Sequence, residues 1–126
     1  AFFMNEDRHT NNIAVIYNEK TQKYELSPFF DQGLCMFADI NQDYPIDQSL
    51  EYCLEKIEAK PFSSDFDIQL DAAEELYGIQ IGFQFTFKDI QIYLQKNSEN
   101  YPREVIRRVE QLLRRQMRKY GYLMKK

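Results

Sequence analysis

Residues 5–33 read NEDRHTNNIAVIYNEKTQKYELSPFFDQG, and the rest of the chain is organised around them. The stretch opens with a polar loop in which Asp7 and Asn12 stand five positions apart, and it closes on Asp31. Between these residues, positions 13–26 hold an apolar, β-branched run, a polar tetrapeptide and an alternating run. This pattern predicts a β-hairpin that carries the chain out and back. Such a hairpin would bring Asp31 beside the loop that holds Asp7 and Asn12.

The loop and the residues after the hairpin resemble two motifs of ATP-dependent kinases. Protein-kinase catalytic loops have the form H-R-D-x-x-x-x-N and are followed by Asp-Phe-Gly. D-R-H-T-N-N, residues 7–12, is similar to the loop of phosphatidylinositol kinases and of bacterial HipA-like serine/threonine kinases, where the His follows the Asp. Y-E-L-S-P-F-F-D, residues 24–31, is similar to the second HipA-type motif, whereas lipid kinases lack its Pro. The resemblance therefore favours a HipA-like kinase, with a lipid kinase as a minor alternative.

The resemblance implies roles for three side chains in ATP-dependent phosphoryl transfer. Asp7 would act as the catalytic base for the attacking hydroxyl, while Asn12 and Asp31 would bind the Mg²⁺ ions that accompany ATP. Gln32 replaces the Phe of Asp-Phe-Gly, which keeps the metal-binding carboxylate but argues against switching by that Phe. His9, the single histidine, would support the loop. The implied reaction transfers the ATP γ-phosphate to a Ser or Thr hydroxyl of a protein substrate.

The same residues also fit two ordinary turns. Asp, Asn and Gly are common turn residues, and an Asp and an Asn five positions apart occur in many loops. On this interpretation residues 5–12 form one polar turn and residues 31–33 form another. The order of a polar loop, a hairpin and then S-P-F-F-D-Q-G favours the kinase-type site.

Length and composition restrict the class of protein. A chain of 126 residues with 44% hydrophobic residues is large enough for one folded domain with a single core. Cys35 and Cys53 have neither C-x-x-C nor metal-ligand spacing, so we expect reduced thiols and a cytoplasmic protein. No apolar run is long enough to span a bilayer, so we expect no membrane partner. The net charge of −4 argues weakly against a nucleic-acid binder.

The predicted fold is mainly α with a short β-hairpin, and the resemblance implies the C-lobe portion of a protein-kinase-like (HipA-like) fold. We expect one domain over residues 1–126. Residues 1–33 would hold the catalytic loop, hairpin and metal-binding motif, residues 34–47 an activation-segment-like loop of mobile composition, and residues 48–126 a helical subdomain. The elements predicted from periodicity and capping residues are strands at 13–17 and 22–26, an extended connector at 79–85, and helices at about 48–59, 64–77, 87–97 and 102–120.

The glycines bear on whether the chain can act alone. A kinase needs a loop that covers the nucleotide and a Lys that contacts the phosphates, both on an upstream lobe. The four glycines form no G-x-G-x-x-G or Walker arrangement. We therefore expect a fragment that is inactive without a missing N-terminal lobe, supplied in cis or in trans.

The last predicted helix is strongly basic. From position 103 onward the chain contains nine Lys and Arg residues but only two Glu. This end therefore carries a charge of about +7, and the remainder of the chain about −11. One interpretation is a patch for nucleic acid, an anionic membrane or an acidic partner. The other is a solvated face whose arginines pair with the chain's own carboxylates. The first supports an alternative function, a non-catalytic helical binding module in which Arg107, Arg114 and Arg118 make the contacts.

Overall fold

The computed structural model describes residues 1–125 and is mainly helical with one small sheet, which confirms the predicted fold class at this level. Its elements, in chain order, are a 3-10 helix Thr10–Asn12, β1 Val15–Asn18, β2 Lys23–Leu26, α1 Leu50–Lys56, α2 Phe66–Tyr77, α3 Phe87–Lys96, α4 Arg103–Lys119 and a second 3-10 helix Gly121–Leu123.

The hairpin forms where the alternating pattern predicts it. β1 and β2 pair antiparallel, with Asn18 opposite Lys23 at the turn end. The Asn18 side chain accepts hydrogen bonds from the backbone N–H groups of Lys20 and Thr21, which fixes the start of the turn. The hairpin carries the chain from the Asp7–Asn12 loop to the segment that contains Asp31.

The helix ends follow from their capping residues. The side chains of Ser49, Asp65 and Thr86 each accept backbone N–H bonds in the first turn of α1, α2 and α3. Gly78 ends α2 with a φ of 70°, in the left-handed region that glycine adopts without steric cost. The predicted helices are therefore found, although α1 ends three residues early because Ile57 has an extended backbone.

Two hydrophobic clusters flank α4, and neighbouring leucines of that helix belong to different clusters. Leu112 packs in a cluster with Phe37, Tyr44 and Cys53, while Leu113 packs in the other. The remaining buried members are Met4 and Ile57 in the first cluster, and Phe2, Ile90, Tyr120 and Leu123 in the second. The stripe of apolar residues predicted for the last helix thus serves both clusters.

The residues just before the polar loop are fixed to α4. Phe2 enters one cluster and Met4 the other. Gln116, which is buried in α4, donates from Nε2 to the carbonyl oxygen of Phe2 at 3.0 Å. The start of the polar loop is therefore anchored against the longest helix.

Residues 34–47 have an irregular backbone, as their composition predicts, but they are anchored in the core. Phe37 and Tyr44 are each 2% exposed. The buried guanidinium of Arg108 donates to the carbonyl oxygens of Phe37, Tyr44 and Pro45. The treatment of Arg108 as one of the basic residues of a binding or solvated face was therefore wrong, because α4 turns it toward the core.

Candidate functional site

The side chain of Asn12 closes the polar loop. It is 5% exposed, and its Nδ2 donates to the carbonyl oxygen of Asp7 at 2.7 Å. Because a carbonyl oxygen can only accept, this contact fixes the amide nitrogen toward Asp7. The amide oxygen accepts no hydrogen bond from residues 1–125, so it remains available as a ligand. The 3-10 turn Thr10–Asn12 produces this arrangement by bringing the chain back toward Asp7.

The ring of His9 lies between the two residues of this loop. Its Nε2 is 3.3 Å from Nδ2 of Asn12 and 3.8 Å from Oδ1 of Asp7. Its Nδ1 is buried, with no hydrogen-bond partner in the described part of the chain. The position agrees with a role in holding the loop, which is the role that the resemblance implies.

Arg8 connects the two motifs. Its Nη1 donates to the carbonyl oxygen of Asn12 at 2.7 Å and to that of Phe30 at 2.9 Å. The guanidinium also lies 5.5 Å from the centre of the Phe29 ring. One side chain therefore holds the end of the polar loop beside the residue that precedes Asp31. Sequence reasoning gave Arg8 no role, although its place inside D-R-H was the available signal.

Two further contacts join the same segments. Nδ2 of Asn5 donates to Oε1 of Gln32 at 3.2 Å, and the backbone N–H of Glu6 donates to the carbonyl oxygen of Leu34 at 3.2 Å. Arg8 contacts Phe30, which precedes Asp31, whereas these two contacts involve Gln32 and Leu34, which follow it. The segment that carries Asp31 is thus attached to the polar loop at both ends.

Asp31 itself has a special backbone conformation. Its φ is 57°, in the left-handed region that few residues other than glycine adopt and in which Asp and Asn are enriched. Its exposed side chain makes no hydrogen bond or ion pair with residues 1–125. Of the predicted site residues, Asp7 and Asn12 are therefore in direct contact, whereas Asp31 bonds to neither of them and follows Phe30, whose carbonyl oxygen accepts from Arg8.

Lys60 is a neighbour of Asp7 that the sequence did not assign to the site. Its Nζ lies 3.7 Å from Oδ1 of Asp7, and its side chain is 56% exposed. An ion pair this open to solvent contributes little to stability. It nevertheless adds a mobile positive charge beside Asp7. The signal was its place in K-P-F-S, residues 60–63, which resembles a segment that follows the activation region in HipA-like chains.

Glu6, next to Asp7, is perturbed by its surroundings. Burial raises the pKa of Glu6, and the hydroxyl of Tyr44, which donates to its carboxylate, offsets this only in part. Burial also raises the pKa of Tyr44, and the hydrogen bond to Glu6 adds to the effect. The pair ties the polar loop to the anchored segment 34–47.

The donors at this site suit Mg²⁺. Within residues 1–125, no three His, Cys, Asp or Glu side chains lie together as a complete metal site. Mg²⁺ in ATP-dependent enzymes is usually held by one or two carboxylates together with substrate phosphates and water. The carboxylate of Asp31 and the free amide oxygen of Asn12 are oxygen ligands of this kind.

The exposed basic residues of α4 form a separate feature, which we call the basic depression. It is an open hollow of about 460 Å³, lined by Gln111, Arg114, Arg115, Arg118 and Lys119. Arg114 pairs with Glu110 at 3.4 Å, and Lys119 pairs with Asp67. Part of the positive charge is thus matched by the chain's own carboxylates. No helix in the described range is both long and apolar enough to cross a bilayer.

No family model matches the sequence, and no curated protein or solved structure shows significant similarity to it. The resemblance to HipA-like kinases therefore rests on residues 7–12 and 24–31, with K-P-F-S as a minor addition.

Proposed function

We propose that this chain carries the metal-binding part of a HipA-like serine/threonine kinase site. The observation that supports this best is the pair of hydrogen bonds from Arg8 to the carbonyl oxygens of Asn12 and Phe30. Phosphoryl transfer depends on holding the base and both metal ligands at once, because its catalysis is mostly positioning and charge stabilisation. A bridge between the two motifs is the contact that such a site requires.

In this proposal each residue has one task. Asp7 accepts the proton of the substrate Ser or Thr hydroxyl, and Asn12 and Asp31 hold Mg²⁺ through oxygen atoms. Bound Mg²⁺-ATP supplies the phosphoryl group and neutralises the charge that develops on it. Lys60 adds positive charge beside Asp7. The glycine patterns that cover a nucleotide are absent from residues 1–126, so we expect turnover only with an N-terminal lobe in cis or in trans.

Metal binding tests the proposal in the chain as it is. Mn²⁺ replaces Mg²⁺ at oxygen sites and broadens nearby NMR signals. In the presence of ATP, we expect Mn²⁺ to broaden the amides of residues 7–12 and 30–33 first. Asp31→Ala should abolish this effect, while the exposed carboxylate Asp47 provides the matched control Asp47→Ala, which should leave it intact. Equal broadening in both variants would show that the site does not bind metal.

Phosphate transfer tests the role of Asp7. The longest native form of the chain is incubated with Mg²⁺-ATP and a Ser/Thr protein substrate, and phosphate is detected by intact-mass spectrometry. We expect Asp7→Asn to bind nucleotide normally and to lose at least about 10²-fold in rate, the usual minimum for a general base. Unchanged turnover in Asp7→Asn would rule out this assignment.

The basic depression favours a second candidate, a non-catalytic module that binds polyanions. Arg118 lines the depression and forms no ion pair with any carboxylate of residues 1–125. A single-stranded oligonucleotide should then bind with an affinity that falls steeply with salt, because counterions are released. Binding should be lost when Arg107, Arg114 and Arg118 are replaced by Gln. It should survive Asp31→Ala and the control replacement of Lys20, Lys23 and Lys88.

A further inference from the structure

A second cavity is lined by residues 32–40 on one part of its wall, and none of Asp7, Asn12 and Asp31 lines it. Its volume is about 510 Å³, within the range of small-molecule sites. We call it the α3–α4 pocket, since those two helices and the turn between them line one part of it, and residues 32–40 line the rest. The apolar side chains that line it include Met36, Ile40, Leu94, Val105, Ile106 and Val109.

One charged side chain, Arg108, is part of the wall. It is 6% exposed, and it forms an ion pair with no Asp or Glu among the residues described. Its positive charge is met by neutral groups, which are carbonyl oxygens, the sulfur of Cys53 at 3.7 Å and the Phe37 ring, whose centre lies 6.0 Å from the guanidinium carbon. Removing an ionised side chain from water without a counter-ion is unfavourable, and dipoles compensate for it only in part. The pocket therefore combines an apolar wall with a buried cation that has no carboxylate partner in residues 1–125.

The hydrogen bonds of Arg108 leave a defined vacancy. A guanidinium has five N–H donors. Nη1 bonds to Pro45 and Cys53, and Nη2 bonds to Phe37 and Tyr44, so four donors are used. The remaining Nε–H donates to no acceptor in residues 1–125. A ligand that brings one anionic oxygen would satisfy this donor and supply the missing counter-charge.

We propose that the α3–α4 pocket binds a small monocarboxylic acid with an apolar body. The body packs against the aliphatic wall, and the carboxylate accepts from Arg108. Tyr93 and Tyr101, whose rings are exposed, line the pocket and are well placed to cover the apolar body. Charge complementarity selects an anion over a neutral ligand, and the single free N–H selects a monoanion over a phosphate. This inference is independent of the proposed kinase activity.

The test uses a matched pair of probes, 4-phenylbutyrate and its neutral analogue 4-phenylbutyramide. Both are titrated into the full chain and followed by NMR shifts of the backbone amides. We expect saturable shifts at Met36, Val105 and Val109 for the acid, with the amide at least about tenfold weaker, because a charged hydrogen bond is lost. Equal affinity for the two probes would overturn the proposal. So would shifts confined to the basic depression, or no saturation up to about 5 mM acid.

Substitutions distinguish binding of the acid in the α3–α4 pocket from nonspecific attraction of the acid to the basic helix α4. Arg108→Met should remove the preference for the acid, while Arg103→Met, at an exposed position of the same helix and with the same loss of charge, should not change it. Since Arg108→Met also removes bonds to the core, Val105→Trp provides a second variant that fills the pocket and leaves the arginine in place. Val105→Trp should abolish binding while its circular dichroism stays that of the wild type. Undiminished binding in a folded Val105→Trp variant would contradict the assignment.

Discussion

Asn12 donates from its side-chain amide to the backbone carbonyl oxygen of Asp7 at 2.7 Å, so one predicted metal ligand also shapes the loop of the predicted base. The bond is partly buried, and the same carbonyl oxygen also accepts from the backbone N–H of His9 at 2.9 Å. Structure and proposed chemistry thus depend on the same side chain, which makes Asn12 the most informative residue of the loop.

Asn12→Ala is expected to lower the free energy of unfolding by about 0.5–1.5 kcal/mol, the usual net contribution of one hydrogen bond, because the Asp7 carbonyl oxygen keeps the His9 N–H as a donor. Urea denaturation followed by circular dichroism measures this. Asn11→Ala, an exposed neighbour in the same 3-10 turn, is the control and should change stability by less than about 0.5 kcal/mol. A matching loss in both variants would mean that the amide contact contributes nothing.

Arg8→Met should separate the two motifs without unfolding the chain. The backbone amides of Glu6 and Met36 donate across the two segments, so their hydrogen exchange reports on the connection. We expect exchange at both amides to become at least about tenfold faster, equivalent to about 1.4 kcal/mol of local stability. Arg8→Lys keeps the charge but loses the planar fork, and it should give an intermediate effect. Unchanged exchange in Arg8→Met would show that other contacts suffice.

Leu112→Ala tests the packing of α4. Leu112 is fully buried in the first cluster, and truncation of such a leucine costs about 2–5 kcal/mol through lost burial and the cavity left behind. The midpoint of urea unfolding should fall without a change in its slope. Gln111→Ala, at the exposed preceding position, should be close to neutral. A small effect of Leu112→Ala would mean that the cluster collapses readily around the cavity.

Asp67 should contribute to acid sensitivity. Burial alone would raise its pKa, but hydrogen bonds from Lys119 and from Tyr120 at 2.6 Å outweigh burial and hold the pKa below 3.8. A depressed pKa stabilises the fold above the unfolded value, and this contribution is lost as the pH falls through the folded value. Asp67→Asn should therefore lose stability less steeply than the wild type below about pH 4. Asp71→Asn, on the same helix, should keep the wild-type slope.

Glu6 should act in the opposite direction. Burial raises its folded pKa above the unfolded value of 4.5, so its contribution is present below that value and is lost as the pH rises through the folded pKa. As the pH rises from about 4.5 through the folded pKa, the wild type should lose stability relative to Glu6→Gln, whose side chain cannot ionise. Denaturant midpoints at several pH values measure the difference, with Glu58→Gln as the exposed control. Parallel profiles for Glu6→Gln and the wild type would contradict it.

Much of the fold could be predicted because its signals are local. Ser49, Asp65 and Thr86 cap helices through bonds to their own first turns, and Gly78 ends α2 through its own φ. The hairpin follows from alternation and a polar turn. Each feature depends on residues within about four positions of one another, which is the range over which periodicity and capping act.

The buried polar residues of α4 were harder to predict, because their partners lie far away in sequence. Arg108 bonds to Phe37, and Gln116 bonds to Phe2. Spacing did hold a signal, since 108, 112, 116 and 120 recur every fourth residue and therefore share the face of Leu112. The charge of Arg108 and the polarity of Gln116 suggested that both side chains face solvent. They are instead buried because backbone carbonyl oxygens face them in the core and accept their hydrogen bonds.

For the candidate site, the sequence supplied the residue types and their order, and the roles of Asp7, Asn12 and Asp31 stay predictions. The motifs D-R-H and K-P-F-S drew attention to Arg8 and Lys60, but the partners of these side chains could not be predicted because they lie in other segments of the chain. The backbone of Asp31 was equally hidden, since a left-handed φ at an Asp has no signature beyond a general tolerance.

The division of Leu112 and Leu113 between two clusters has a consequence during synthesis. The first cluster is complete only once Leu112 has left the ribosome and the second only once Leu123 has, although Phe2 and Met4 emerge more than a hundred residues earlier. The loops closed by these contacts are long, so the nascent chain must wait with its early aromatic residues exposed. Both clusters therefore form late in synthesis, after most of the chain has emerged.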